Sequence, residues 1–171
     1  MKNIILIGFM GVGKGTVARA FAKKYEDFYA IDTDDLIESL ENRKIKKIFE
    51  EDGEPYFRAL EAKTAAWLAK SVQNAVISTG GGFYRQEKLR EIGTVILLDS
   101  SFDAILERIL AHPNAERKLA KRPLFASPDQ ARILYEEREK AYKEVADIVV
   151  NVERRQADDI AAEIWQKVRE Q

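Results

Sequence analysis

The sequence predicts an α/β domain, a five-stranded parallel sheet with helices on both faces. Two observations carry this. Short uncharged runs rich in β-branched residues alternate with longer stretches of helical periodicity; the runs are Ile4–Ile7, Phe28–Ile31, Ala75–Ser78, Thr94–Leu98 and Ile148–Val150. In addition, the first and third of these runs lead into glycine-rich segments, Gly8–Thr16 and Thr79–Gly82. Open parallel sheets gather their ligands at such strand ends. At 171 residues the chain forms one domain with a sizeable core, and no internal repeat or low-complexity linker divides it.

The first strand, Ile4-Ile5-Leu6-Ile7, runs into Gly8-Phe9-Met10-Gly11-Val12-Gly13-Lys14-Gly15-Thr16, and Val17–Tyr25 follows as an amphipathic helix. Strand, glycine loop, lysine and helix together make a phosphate loop. Its glycines let successive backbone N–H groups turn toward one anion, and the helix adds its positive end. Gly11, Gly13, Lys14, Gly15 and Thr16 are therefore candidate nucleotide contacts, with Lys14 reaching the outer phosphates. The slot after the lysine ordinarily holds Ser or Thr, whose hydroxyl ligates magnesium. Gly15 fills it here, so any magnesium must be held by phosphates, water and another protein group, and Thr16 is left to an inner phosphate.

The second strand ends at Asp32-Thr33-Asp34-Asp35, followed by a helix over Leu36–Glu41. Acids at a strand end near a phosphate loop suit magnesium or a substrate hydroxyl, although Asp and Thr are also favoured helix caps. The position favours function, with one of the acids serving as a cap. Lys44–Glu51 reads as another helix; Gly53 closes it, and Pro55 suits the first turn of the next. Arg58 and Glu61, three apart, read from spacing alone as a surface ion pair of little worth, or alternatively as a carboxylate fork beside Phe57. The run Gly80-Gly81-Gly82 after the third strand is costly to order and implies close approach of a ligand or another backbone. Tyr84–Glu91 and Phe102–Leu110 flank the fourth strand as helices. The segment from His112 to Gln130 is polar, basic and proline-bearing, a lid pattern in which Arg122 is placed to reach over phosphates. Arg117 and Lys118 read as solvated charge, and His112 as a helix-end residue. Ala131–Val145 is a charged helix, and the last helix, from about Asp158 to Val168, places Trp165 in the core.

Composition narrows the partners. Twenty-eight basic and 29 acidic residues leave a net charge of −1, which gives no global reason to expect nucleic acid or a membrane surface. There is no cysteine for disulfides or thiolate metal sites, and no apolar run of membrane-spanning length. Met1-Lys2-Asn3 leads straight into the first strand, leaving no room for a secretory signal, so a cytoplasmic protein is expected.

Taken together, these motifs resemble the shikimate kinase family along nearly the whole chain. The matches are Gly8 to Thr16, Asp32-Thr33-Asp34, Gly53-Glu54 with Phe57-Arg58 and Glu61, Thr79-Gly80-Gly81-Gly82, Arg122-Pro123-Leu124, and Arg138 with Tyr142. The resemblance implies a P-loop kinase domain over 1–171, sheet order 2-3-1-4-5, a substrate-binding helical region at 33–61 and a mobile lid at 112–126. It implies transfer of the ATP γ-phosphoryl group to the 3-hydroxyl of shikimate, with Mg2+, by a monomer. Residue by residue, Asp34 would hold and deprotonate the hydroxyl, and Arg58 and Arg138 would grip the carboxylate. Gly80, Gly81 and Gly82 would meet the ring hydroxyls, Phe49 and Phe57 would wall the ring, and Glu61 would belong to the same set. Asp32 would help hold magnesium through water, and Lys14 and Arg122 would stabilise the transferring phosphate. Arg108 and one of Arg154 and Arg155 would flank adenine. The Gly-Lys-Gly-Thr ending is similar to that of adenylate kinases, which keeps gluconate or nucleoside monophosphate kinases open as alternatives, along with a non-catalytic nucleotide-binding domain.

Overall fold

A computed structural model describes residues 2–120 and 127–170. Strands β1 (Asn3–Ile7), β2 (Tyr29–Asp32), β3 (Ala75–Ser78), β4 (Gly93–Asp99) and β5 (Ile148–Asn151) form one parallel sheet in the order β2-β3-β1-β4-β5. This is the order the resemblance implies. The chain leaves β1 toward one edge and later crosses to the other. The ends of β1 and β3, with their glycine segments, therefore lie side by side next to the end of β2.

The central strands are buried on both faces, as their uncharged sequences predict; Ile4, Leu6, Val76, Ile77, Val95 and Ile96 have no exposed surface. The edges depart from that expectation. Tyr29 on β2 is 80% exposed, and β5 alternates buried Ile148 and Val150 with outward Val149 and Asn151. An edge strand has one open flank, so an uncharged sequence does not by itself secure two-sided cover.

Helix α1 (Lys14–Lys24) lays Val17, Ala18 and Phe21 on the sheet. Phe21 then meets Tyr25, Phe28 and Trp165 of α8 (Ala157–Arg169), with Tyr25 stacked on Trp165 at 4.6 Å between ring centres. Full burial of a ring such as Phe21 stabilises by about 2–3 kcal/mol. Asn3 pins the start of β1: its amide donates to Val72 O and Ile92 O, and its carbonyl accepts from Ala75 N.

Helices α2 (Thr33–Glu41) and α3 (Ile45–Ser71) form a side unit with its own small core of Ile37, Ile48, Phe57 and Leu60. Gly53, at φ 80° and ψ 175°, breaks α3 two residues before Pro55, as the sequence predicts. Tyr84–Glu91 is not the predicted helix. A 3₁₀ turn at Phe83–Arg85 draws Phe83 fully inside, the chain extends at Gln86, and only Leu89–Ile92 (α4) is helical. After α5 (Phe102–Leu110), the segment expected to be irregular contains a short helix, α6 (Ala115–Ala120). Helix α7 (Pro128–Val145) begins three residues before the predicted Ala131, because Pro128 suits a first turn in which its missing N–H costs nothing. His112 is a helix-end residue, its Nδ1 accepting from Asn114 N.

Candidate active site

The phosphate loop takes the conformation its glycines permit. Gly11 and Gly13 stand at φ 81° and 103°, in the left-handed region where a side chain would be strained. At Gly13 a side chain would also collide with the Arg108 guanidinium, which lies against the loop and donates to Val12 O at 2.7 Å. Burial against the loop pushes the Arg108 guanidinium below its ordinary value. Lys14 is buried, and its ammonium donates to Gly8 O (2.7 Å) and Phe9 O (3.1 Å), which tethers it to the rim of the loop.

Beside the loop is a cleft of about 460 Å³, within the range of small-ligand sites. Gly11, Thr16, Arg108, Arg154 and Arg155 all line it, so five of the predicted nucleotide contacts share one space. The two late arginines divide. Arg155 is held by Glu163 (2.5 Å) and Asn151 O (2.8 Å), whereas Arg154, at φ 54°, makes no hydrogen bond or ion pair among the described residues. Arg122 and the rest of residues 121–126 of the predicted lid lie outside the described residues, while Arg117 is exposed as expected.

At the end of β2, Asp32 is the cap that the sequence expected of one acid. Its Oδ1 accepts from Asp34 N (2.9 Å) and Asp35 N (3.3 Å). Capping turns α2 so that Asp34 points back toward β3. The Asp34 Oδ1 is buried without a hydrogen-bond partner among the described residues. Burial, followed by the charges of Asp32 and Glu61, pushes this carboxyl up to about 7, while Lys14 pulls the other way. Such a group changes protonation near neutral pH, as a proton acceptor requires.

The three glycines after β3 have a concrete spatial meaning. A Cβ on Gly80 would come within 2.8 Å of Asp34 Oδ1, and one on Gly81 within 3.0 Å of Arg138 Nη1; one on Gly82 would collide with the Arg58 guanidinium. Each glycine is thus the floor beneath one predicted site residue. The run is fixed from below by Thr79 Oγ1 donating to Leu6 O (2.9 Å) and from the side by Gly80 N donating to Thr33 Oγ1 (3.2 Å). Tyr142 donates to Gly81 O at 2.6 Å, and burial pushes its hydroxyl up to about 12.

Arg58 and Glu61 are not the surface pair that spacing suggests. Glu61 is 1% exposed; its Oε2 accepts from Arg58 Nη1 at 2.7 Å, and its Oε1 has no partner among the described residues. Burial pushes its carboxyl up, against the opposing pull of Arg58, Arg85 and Arg138. Glu54 holds the other side of Arg58 through Nε and Nη2. Arg138 carries a buried Nε without a hydrogen-bond partner among the described residues. Phe57 is buried in the small core and packs against Phe49, 4.7 Å between ring centres, leaving Phe49 36% exposed as a wall. Thr33 and Glu54, present in the matched motifs but given no role there, and Ser78, which the sequence marks only as a strand end, also stand among these groups.

Magnesium fits this arrangement only as a guest of the nucleotide. No cluster of three His, Cys, Asp or Glu side chains among the described residues could hold the ion alone. The donors near the loop are the Asp32 and Asp34 carboxylates and hydroxyls at the strand ends, hard oxygen groups of the kind magnesium takes alongside phosphate and water.

A phosphate loop, a poised carboxyl and paired arginines at a sheet's switch point define a nucleotide-dependent kinase of small molecules. The profile of the family described as shikimate kinase matches residues 10–169. A shikimate kinase of Helicobacter hepaticus is 41% identical over 170 residues, covering 99% of this chain and 95% of that protein. Among solved structures, shikimate kinase from Acinetobacter baumannii in complex with shikimate aligns with TM-score 0.84 at 31% identity, over 99% of this chain and 94% of that one. Shikimate kinase from Aquifex aeolicus aligns with TM-score 0.78 at 36% identity, over 98% and 96%. The chain belongs to the shikimate kinase family.

Proposed function

We propose that the floor of Gly80, Gly81 and Gly82, with Asp34, Arg138 and Arg58 set over it, binds shikimate while the phosphate loop presents ATP. The family's reaction is transfer of the ATP γ-phosphoryl group to the 3-hydroxyl of shikimate, with Mg2+. The observation that carries the residue assignments is the one-to-one fit of each glycine beneath a carboxylate or guanidinium.

In this reading Arg58 and Arg138 hold the substrate carboxylate, since a planar guanidinium matches it in two parallel hydrogen bonds. Glu61 and Glu54 orient Arg58. Asp34 accepts the hydroxyl proton, and its raised affinity for protons supports that role. Phe49 and Phe57 wall the ring, and the glycine backbone meets its hydroxyls. Lys14 and Arg122 stabilise charge on the transferring group, in a reaction that depends on positioning and electrostatics more than on covalent work. Asp32 holds magnesium through water with its capping carboxylate; the ion neutralises phosphate charge when bound. Arg108 and Arg154 flank adenine, and Arg155 supports the loop that carries Arg154. We further read the chain as a cytoplasmic monomer of single-domain design, with 33–61 as the substrate region and 112–126 as a lid. No helix among the described residues is long and apolar enough to cross a membrane.

The test is ADP release from ATP and Mg2+ with shikimate, gluconate, AMP or no acceptor. Release should depend on shikimate and collapse in Asp34→Asn and Arg58→Ala. Release driven by another acceptor, or by none, would overturn the substrate assignment.

A further inference from the structure

The loop lysine is followed by Gly15, which removes the hydroxyl that a Ser or Thr in this slot gives to the nucleotide's magnesium. What surrounds that gap is informative. A Cβ built on Gly15 would lie 3.7 Å from Ser78 Oγ. Ser78 is the last residue of β3 and only 4% exposed. Its hydroxyl forms no hydrogen bond among the described residues, and its oxygen keeps some contact with solvent. Across the ladder Ser78 is in register with Asp32, the acid assigned to the hydrated metal. Register partners in a sheet project from the same face, so hydroxyl and carboxylate leave the sheet side by side.

We propose that the Ser78 hydroxyl, offered from β3, takes the part of the missing loop hydroxyl in holding the nucleotide's magnesium. The assignment rests on the kinase reading above. It explains why glycine is tolerated at position 15: the oxygen is supplied from the neighbouring strand, facing the same space. The other neighbour of that space is Arg19, whose Nη1 lies 3.3 Å from the same Cβ position. Arg19 is an exposed side chain whose end can swing aside. Gly15 sits within α1 at an ordinary backbone angle, so a serine is accommodated there.

The test is ADP binding by calorimetry, with Mg2+ and with chelator, for the native chain, Ser78→Ala and the double variant Ser78→Ala/Gly15→Ser. The quantity read is the ratio of the two affinities, which reports the metal and needs no turnover. Loss of a metal-supporting group weakens metal binding about 10- to 100-fold, so Ser78→Ala should lower the ratio at least about tenfold. Returning a hydroxyl at position 15 should bring the double variant back to within about threefold of the native ratio. A ratio unchanged in Ser78→Ala would overturn the proposal. So would a fall that Gly15→Ser does not restore, since Ser78 would then act by packing alone. A native chain that binds no ADP under either condition would instead overturn the kinase reading, and the proposal with it.

Discussion

Asp34→Asn should stabilise the protein at alkaline pH far more than at acid pH, because the native carboxyl is held where ionisation is costly. It titrates at about 7 in the folded chain, against an ordinary value of 3.8. Between those values the folded chain keeps a proton that the unfolded chain has released. Stability therefore falls as pH rises through this window, and above pH 7 the full penalty applies. A shift of about three units at about 1.4 kcal/mol each gives a penalty of about 4 kcal/mol. Asparagine has the same shape and no charge, so it escapes the penalty. Urea unfolding of both proteins at about pH 4.5 and about pH 8.5 should show the variant's advantage growing by about 3 kcal/mol between them. The same substitution removes the proposed proton acceptor, so shikimate-dependent kcat should fall by about 10²- to 10⁴-fold. Native kcat/KM should decline below about pH 7 as the carboxyl protonates. An advantage equal at the two pH values, within about 0.5 kcal/mol, would refute the argument that burial sets this group's acidity.

Two further outcomes separate roles that share a residue or a loop. Gly82→Ala should raise KM for shikimate about tenfold, or about 1.4 kcal/mol, with KM for ATP little affected, since the added methyl collides with the Arg58 guanidinium; steady-state kinetics in both substrates decides. Asp32→Asn should keep the α2 cap, because Asn caps as well as Asp, yet weaken the response of turnover to Mg2+; Asp32→Ala should cost an additional ~1 kcal/mol of stability in urea melts.

Where local chemistry dictates structure, the sequence alone is enough to show it. The buried strands, the phosphate loop, the Gly53–Pro55 break and the Asp32 cap each follow from residues within a few positions of one another. What escaped needed three dimensions. The spacing of Arg58 and Glu61 fits a helix-surface pair, and only the packing of α3 against the glycine run and Arg138 shows that Glu61 is sealed inside. The triple glycine signalled close approach, but it was three side chains from distant segments that approached rather than backbone. Ser78 resembled any small residue ending a strand until its hydroxyl was seen beside Gly15. Tyr84–Glu91 carried helical periodicity, but the pull of Phe83 into the core won over local propensity. Between Arg154 and Arg155, no sequence signal distinguishes the residue committed to Glu163 from its neighbour.

The four-residue core of Ile37, Ile48, Phe57 and Leu60 stands apart from the large core under the sheet. The walls of the proposed acceptor pocket therefore draw their packing energy from a separate and smaller reserve than the nucleotide loop does. Small units of this kind open at lower free energy than the body of a domain. Heat, denaturant or a truncated side chain such as Ile48 will reach the acceptor walls first, and a chain losing its grip on shikimate will still hold ATP. The molecule is built to fail in sequence, acceptor before nucleotide, and amide exchange would record that order as two tiers of protection, α2 and the first half of α3 below the strands.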